Sequence, residues 1–263
     1  LVVAKRFLIL TQAGHYSREE GLFSYAPYVK EMDLWNEKHQ EIVVVAPKDW
    51  LPFSAIHQAY AHPNIRWVRV PQLKFNGPVA MLVSIFALPY ICAVMFWQML
   101  RANHLHLRCP GNMGALAAVL QMLFPAKPKT VKYAGNWDPK SQQPWSYRWQ
   151  QKLLRSKLNR NMKVLVYGDW QEKSPNIQPF YTASYLKSMP LDTEILADKK
   201  SGMAIFVGGL VEGKRPQLSL AIAKEGLRKG YLSSFHFFGD GPLREILEAQ
   251  VGPEEPIFFH GNQ

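Results

Sequence analysis

About sixty residues at the carboxyl end constrain this chain more than any other stretch. From Met203 the sequence runs Met-Ala-Ile-Phe-Val into Gly208-Gly209-Leu210, then through Lys214-Arg215-Pro216 into a helical pattern. Phe235-His-Phe-Phe next enters Gly239-Asp240-Gly241-Pro242-Leu243. After a second helical pattern, Ile257-Phe-Phe-His260 reaches Gly261-Asn262-Gln263. Three short apolar strands that run into glycine turns and alternate with amphipathic helices specify a parallel sheet with crossover helices. Loops at the carboxyl ends of such strands hold ligands. The cations Lys214 and Arg215, beside glycines, suit a phosphate-bearing one.

The earlier sequence alternates in the same way. Strands are expected at 6–12, 41–46, 65–70, 105–108, 130–133 and 163–167, and helices at 20–39, 114–124 and 147–159. In the first helix, Leu22, Tyr25, Val29, Met32 and Trp35 fall at helical spacing. Six or seven such strands complete an α/β domain. Residues 168–202, polar and proline-rich without a sustained period, read as an inter-domain crossing. The expected domains are 1–190, including that crossing, and 191–263. The second would stop after three strands with an open edge and an uncovered face, so the native protein is expected to continue. The start at Leu1 rather than Met likewise suggests missing residues, and no signal peptide is visible.

With 263 residues, 48% of them hydrophobic and 19% charged, the chain is globular and not disordered. Two cysteines, Cys92 and Cys109, are too few for a disulfide scaffold and lack metal-ligand spacing, so a reducing compartment is the default. The net charge of +11 is uneven: residues 127–163 carry ten Lys or Arg against one acid, Asp138, together with Trp137, Trp145, Tyr147 and Trp149. That stretch reads equally as a solvated helix face with aromatic anchors or as a contact for an anionic partner. A membrane surface or phosphorylated acceptor is favoured over nucleic acid, which has no motif here.

Residues 79–100 are 22 residues without a formal charge. The run is long enough to span a bilayer, yet Pro89 interrupts it and strands flank it. A buried crossover helix is the leading expectation. A crossover helix with one face toward lipid comes next, and a true span last.

The order and spacing of the closing elements resemble the nucleotide-sugar half of retaining glycosyltransferases of the GT-B fold (glycosyl transferases group 1). In that family a strand ending in Gly-Arg-Leu, a loop with Lys, a strand ending in Gly-Asp-Gly-Pro-Leu and one ending in Phe-Leu-Gly follow in this order. The corresponding residues here are Gly208-Gly209-Leu210, Lys214, Gly239-Asp240-Gly241-Pro242-Leu243 and Phe258-Phe259-His260-Gly261, in roughly a quarter of the chain.

The resemblance implies an α/β fold of GT-B type: two Rossmann-like domains with parallel sheets, the second truncated. It implies transfer of a sugar from a nucleotide diphosphate donor to an acceptor hydroxyl with retention, in polysaccharide or glycolipid synthesis. A fragment of this extent would be inactive alone. Lys214 falls on the family lysine that neutralises the donor diphosphate. The family arginine is replaced by Gly209, with Arg215 as the neighbouring substitute. Gly14, Gly208, Gly209, Gly239, His260, Gly261 and Asn262 would contact the donor. Arg108, Asn112, Asn136 and Asp138 would line the acceptor side. No cofactor or metal is implied.

Each of these residues also has a plainer role. Lys214-Arg215 can be a surface pair, and Gly239-Asp240-Gly241 reads more readily as a structural corner. Asn136-Trp137-Asp138 serves equally as a turn, and His15 reads more readily as an ordinary loop residue than as an acid-base or phosphate contact. His104 and His106 alternate on one strand face as structural histidines more readily than as metal ligands. The family histidine is missing at Ala134-Gly135, and its Glu-x7-Glu pair would lie beyond Gln263. The expected partners are therefore a nucleotide-sugar, a glycan or lipid-linked acceptor and an anionic membrane surface, and the expected location is cytoplasmic, with the inner face of the membrane as the place of such contact. Two alternatives stay open: a non-catalytic glycan- or nucleotide-binding relative, and a basic membrane-associated scaffold.

Overall fold

The computed structural model describes residues 5–49, 52–75, 77–170, 174–181 and 202–262. The chain divides into two compact units, Leu1–Tyr185 and Leu186–Gln263. The boundary drawn at 190, most of the 168–202 crossing, and Gln263 lie outside the described residues.

The first unit is built on seven parallel strands: β1 Arg6–Leu10, β4 Glu41–Pro47, β6 Ile65–Val70, β7 His104–Cys109, β8 Lys129–Tyr133, β9 Met162–Val166 and β10 Ile177–Pro179. Their order is β10-β9-β8-β7-β1-β4-β6. The chain therefore winds away from β1 in both directions, and the reversal lies between β1 and β7. The central strands are apolar on both sides, as a sheet covered on both faces requires. Leu8, Leu10, Val43, Val45, Leu105, Leu107 and Val131 pack toward α2 Pro78–Arg101, α3 Asn112–Leu120 and α4 Trp145–Leu154. Phe7, Ile9, Ile42 and Val44 pack toward α1 Ala26–Asn36.

The helix expected over 20–39 begins only at Ala26. Gly21–Tyr25 is instead strand β3, the centre of a small antiparallel sheet with β2 Tyr16–Arg18 and β5 His57–Ala59. Leu22 and Ser24 are buried while Gly21 and Tyr25 are exposed, a period of two that overrides the helical spacing of Leu22 and Tyr25. Pro27, in the first turn of α1, marks where the helix starts. The basic helix expected over 147–159 is Trp145–Leu154, following Pro144.

The apolar run 79–100 forms a crossover helix, but the burial expected of a core helix is confined to one stripe. Ser84, Ile91, Met95, Gln98 and Met99 are buried, and Val79, Leu82, Phe86, Tyr90 and Trp97 are exposed on the opposite side. Among the described residues this is the one helix long and apolar enough to cross a membrane. The basic run is partly structural. Lys127 Nζ donates to the Leu100 and Ala102 carbonyls, Lys129 Nζ to that of Arg160, and Arg155 stacks over Trp137. Lys132 Nζ sits over the Tyr167 and Phe180 rings, and burial lowers its pKa to about 8.

The second unit is a parallel sheet of β11 Met203–Val207, β12 Ser234–Phe238 and β13 Ile257–Gly261, crossed over by α5 Pro216–Arg228 and α6 Arg244–Glu248. Phe206, Phe235, Phe237 and Phe259 pack with Leu220, Ala223 and Leu247 on the helix side. The other face carries Met203, Ile205, Val207 and Phe258, all exposed.

Candidate functional site

In the first unit the reversal point puts the loops after β1 and β7 side by side, the crevice where such sheets take ligands. Gln12 fills it. Its Oε1 accepts from the Asn112 amide at 2.7 Å, which satisfies a free N–H at the start of α3. A Cβ on Gly111 would press into the same oxygen. Asn112 Nδ2 donates to the Leu73 carbonyl at 2.9 Å, tying the loop after β6 to α3. The topology thus brings Gly14 and Asn112 to one edge, with Gln12, which the sequence reading missed, between them.

The environment of Gly14 works against an anion. The Asp49 carboxylate packs where a Gly14 Cβ would be, so the turn faces a negative group. His15 is fully buried and stacked with Tyr60. Its Nδ1 faces the Ala13 carbonyl at 2.8 Å and must donate, leaving Nε2 to accept from the Tyr60 hydroxyl at 2.8 Å. Burial lowers its pKa to about 4, so the ring is neutral. His15 is a core residue, not the loop residue expected.

Arg108 lies on the α1 side of β7, where its Nη1 pairs with Glu31 Oε1 at 2.5 Å and its guanidinium lies over Tyr28. Asn136 and Asp138 form a locked turn. Asn136 Oδ1 accepts from the Asp138 amide, and Asp138 Oδ1 accepts from that of Lys140. Trp137, buried between them, is edge-on to Tyr133. His104 and His106 both reach the Thr130 hydroxyl, at 3.1 and 2.8 Å. Among the described residues, no three His, Cys, Asp or Glu side chains converge as a metal site.

In the second unit the three glycine turns interlock through their backbones. The Gly208 amide donates to Phe238, Leu210 to Asp240, Gly239 to Gly261, and Leu243 back to Leu210. Gly239 and Gly241 have φ of 140° and 158°, and a Cβ on either would meet the Gly208 or Leu210 carbonyl. Gly208 and Gly209 both leave room for a Cβ, whose nearest neighbours would lie 3.8 Å away, and of the two only Gly208 has a positive φ, 153°. Past them, a 3-10 turn at Glu212–Lys214 leads to Arg215 in the left-handed region (φ 54°, ψ 47°), then to α5. Both Lys214 and Arg215 are exposed, and neither has an ion pair among the described residues. His260 occupies a bulge in β13, stacked on Phe238, with Nε2 2.8 Å from His236 Nδ1. Asn262 is exposed at the end of that strand.

The fold is GT-B glycosyltransferase-like, with two Rossmann-like parallel-sheet units. It matches a Listeria monocytogenes protein described as a UDP-N-acetylglucosamine 2-epimerase at 11% identity and TM-score 0.50, over 98% of this chain and 69% of that one. Arabidopsis thaliana UGT89C1, complexed with UDP, aligns at 10% identity and TM-score 0.47, over 98% and 71%. A variant of S. aureus TarM, in a complex that includes UDP, aligns at 14% and 0.45, over 65% of this chain. This chain spans 36% of the length of TarM. Identities this low speak for the fold alone. No protein-family model and no curated protein sequence matches.

Proposed function

We propose that this chain belongs to a retaining glycosyltransferase that moves a sugar from a nucleotide diphosphate donor to an acceptor hydroxyl. It would act in polysaccharide or glycolipid synthesis at the cytoplasmic face of a membrane. The observation that carries the reading is the exposed pair Lys214 and Arg215, neither with an ion pair among the described residues, in the turn that follows Gly208-Gly209. Negative charge grows on the leaving diphosphate as the sugar–phosphate bond breaks, and fixed cations at that point lower the barrier. The left-handed backbone of Arg215 costs of order 1 kcal/mol in a non-glycine residue, and such strain concentrates at functional sites. In support of a membrane acceptor, the exposed stripe of α2 presents Leu82, Phe86 and Trp97 to solvent, an apolar band beyond ordinary scattered exposure.

The test is titration of UDP, GDP, ADP and their sugars into the protein and into Lys214→Ala. One base is expected to bind, and the variant to lose at least about tenfold, the worth of one charge-assisted contact. No binding to any of them, or equal affinity in the variant, would overturn the reading. The likeness to the Listeria protein favours a second reading, nucleotide-sugar epimerisation. Product analysis separates the two: a sugar joined to an acceptor, or a released epimer.

A further inference from the structure

The first unit contains a second cluster of cations, three against one acid. A cavity of about 870 Å³ opens at the carboxyl ends of β4 and β6. Arg18 from β2, Lys48 just after β4 and Arg69 from β6 line it, and none of the three has an ion pair among the described residues. The one acid on the wall, Asp49, lies 3.8 Å from His57. The Arg18 guanidinium sits 3.9 Å over the Phe53 ring. Phe53 is itself packed against Tyr16, Phe23 and His57. That stacking holds the cation in place before any ligand arrives, and a fixed guanidinium fork beside further cations matches the oxygens of a phosphate ester.

The far wall supplies the other half of the ligand. Tyr90 of α2 lines the cavity and belongs to the exposed apolar stripe with Leu82 and Phe86, at spacings of four residues. A cationic cavity that continues into an apolar helix face fits a molecule with a phosphate head and a hydrocarbon chain. We propose that the cavity binds the phosphate of a membrane lipid phosphate, whose chain lies along α2. That this lipid carries the acceptor rests on the glycosyltransferase reading; the binding itself does not.

The experiment compares vesicles of phosphatidylcholine doped with phosphatidic acid against vesicles doped to the same charge with oleate. The protein is expected to bind the first about tenfold more tightly. The triple variant Arg18→Gln, Lys48→Gln, Arg69→Gln should lose that preference. A control with equal charge loss on exposed residues elsewhere, Lys5→Gln, Lys30→Gln, Lys38→Gln, should keep it. Equal losses in both variants would show generic electrostatics and overturn the proposal.

Sodium pyrophosphate provides a check on the unaltered protein. It should displace the protein from phosphatidic acid vesicles but not from oleate vesicles. Pyrophosphate binding as tight as vesicle binding would assign the cavity to a soluble phosphate and overturn the lipid. If the nucleotide panel fails while the vesicle preference holds, the transferase reading falls and the cavity stands. The converse result separates them in the other direction.

Discussion

The carbonyl of Gly208 occupies the space in which a Cβ on Gly239 would have to sit. The contact joins the ends of β11 and β12, and the Gly208 amide donates to Phe238 at 2.9 Å within the same corner. The glycines of the second unit are therefore divided between two jobs. Gly239 and Gly241 let backbones close on one another, whereas Gly208 and Gly209 leave room for a Cβ, Gly208 at a positive φ.

Gly239→Ala combines a strained positive φ with this collision and is expected to destabilise the protein by ~3 kcal/mol. Gly209→Ala should change stability by no more than about 1 kcal/mol, with a gain as acceptable as a loss. Urea unfolding of the two variants by circular dichroism checks the division. Equal effects would mean that the corner is not closed as described.

Arg108 and Glu31 form a half-sheltered pair, with side-chain exposures of 18% and 8%. Removing the cation leaves the carboxylate largely sheltered from water with only the Lys132 charge nearby, so Arg108→Ala should cost about 3 kcal/mol. Replacing both by methionine should recover most of the loss. If Arg108→Ala were silent in stability yet weakened acceptor use, Arg108 would be a ligand contact and not a brace between β7 and α1.

Acidification should weaken the first unit through His15. Its pKa is about 4 in the folded chain against an ordinary 6.5. Between those values the unfolded chain binds a proton that the native chain does not, so stability falls as pH drops through that window. From about pH 7 to about pH 5 this one group contributes a loss of ~2 kcal/mol. His104, also held at about 4 by burial, adds to the trend. The gap between denaturant midpoints at the two pH values should narrow in His15→Gln, with the His104 share remaining, and an unchanged gap in that variant would exclude the assignment.

The two sides of α2 should respond oppositely to substitution. Met95, fully buried, is expected to cost ~2–5 kcal/mol as Met95→Ala. Phe86, 81% exposed, should tolerate Phe86→Gln within about 0.5 kcal/mol while losing affinity for vesicles. A large stability loss at Phe86 would mean that its side is covered by protein in solution.

Much of the architecture was legible because the signals were local. Strands such as 41–47 and 203–207 are short apolar runs that end at proline or glycine, and their parallel pairing follows from the helices between them. Strand β3 was misread because five residues of alternation, Gly21–Tyr25, abut a true helix and share its apolar spacing. The site was less legible. Lys214 and Arg215 stand out as candidates because they lie in one turn beside glycines. Arg18, Lys48 and Arg69 belong to three separate elements, and no spacing links them.

The sequence by itself determined the alternation of strand and helix, the glycine corners and the apolar character of α2, since each depends on neighbouring residues alone. Only the tertiary structure decided which side of α2 is buried, that His15 is sealed in the core, and that Arg108 is taken up by Glu31. It also decided that three distant cations share one cavity. Burial and ion pairing depend on what other elements bring to a point in space, and no local pattern carries that information.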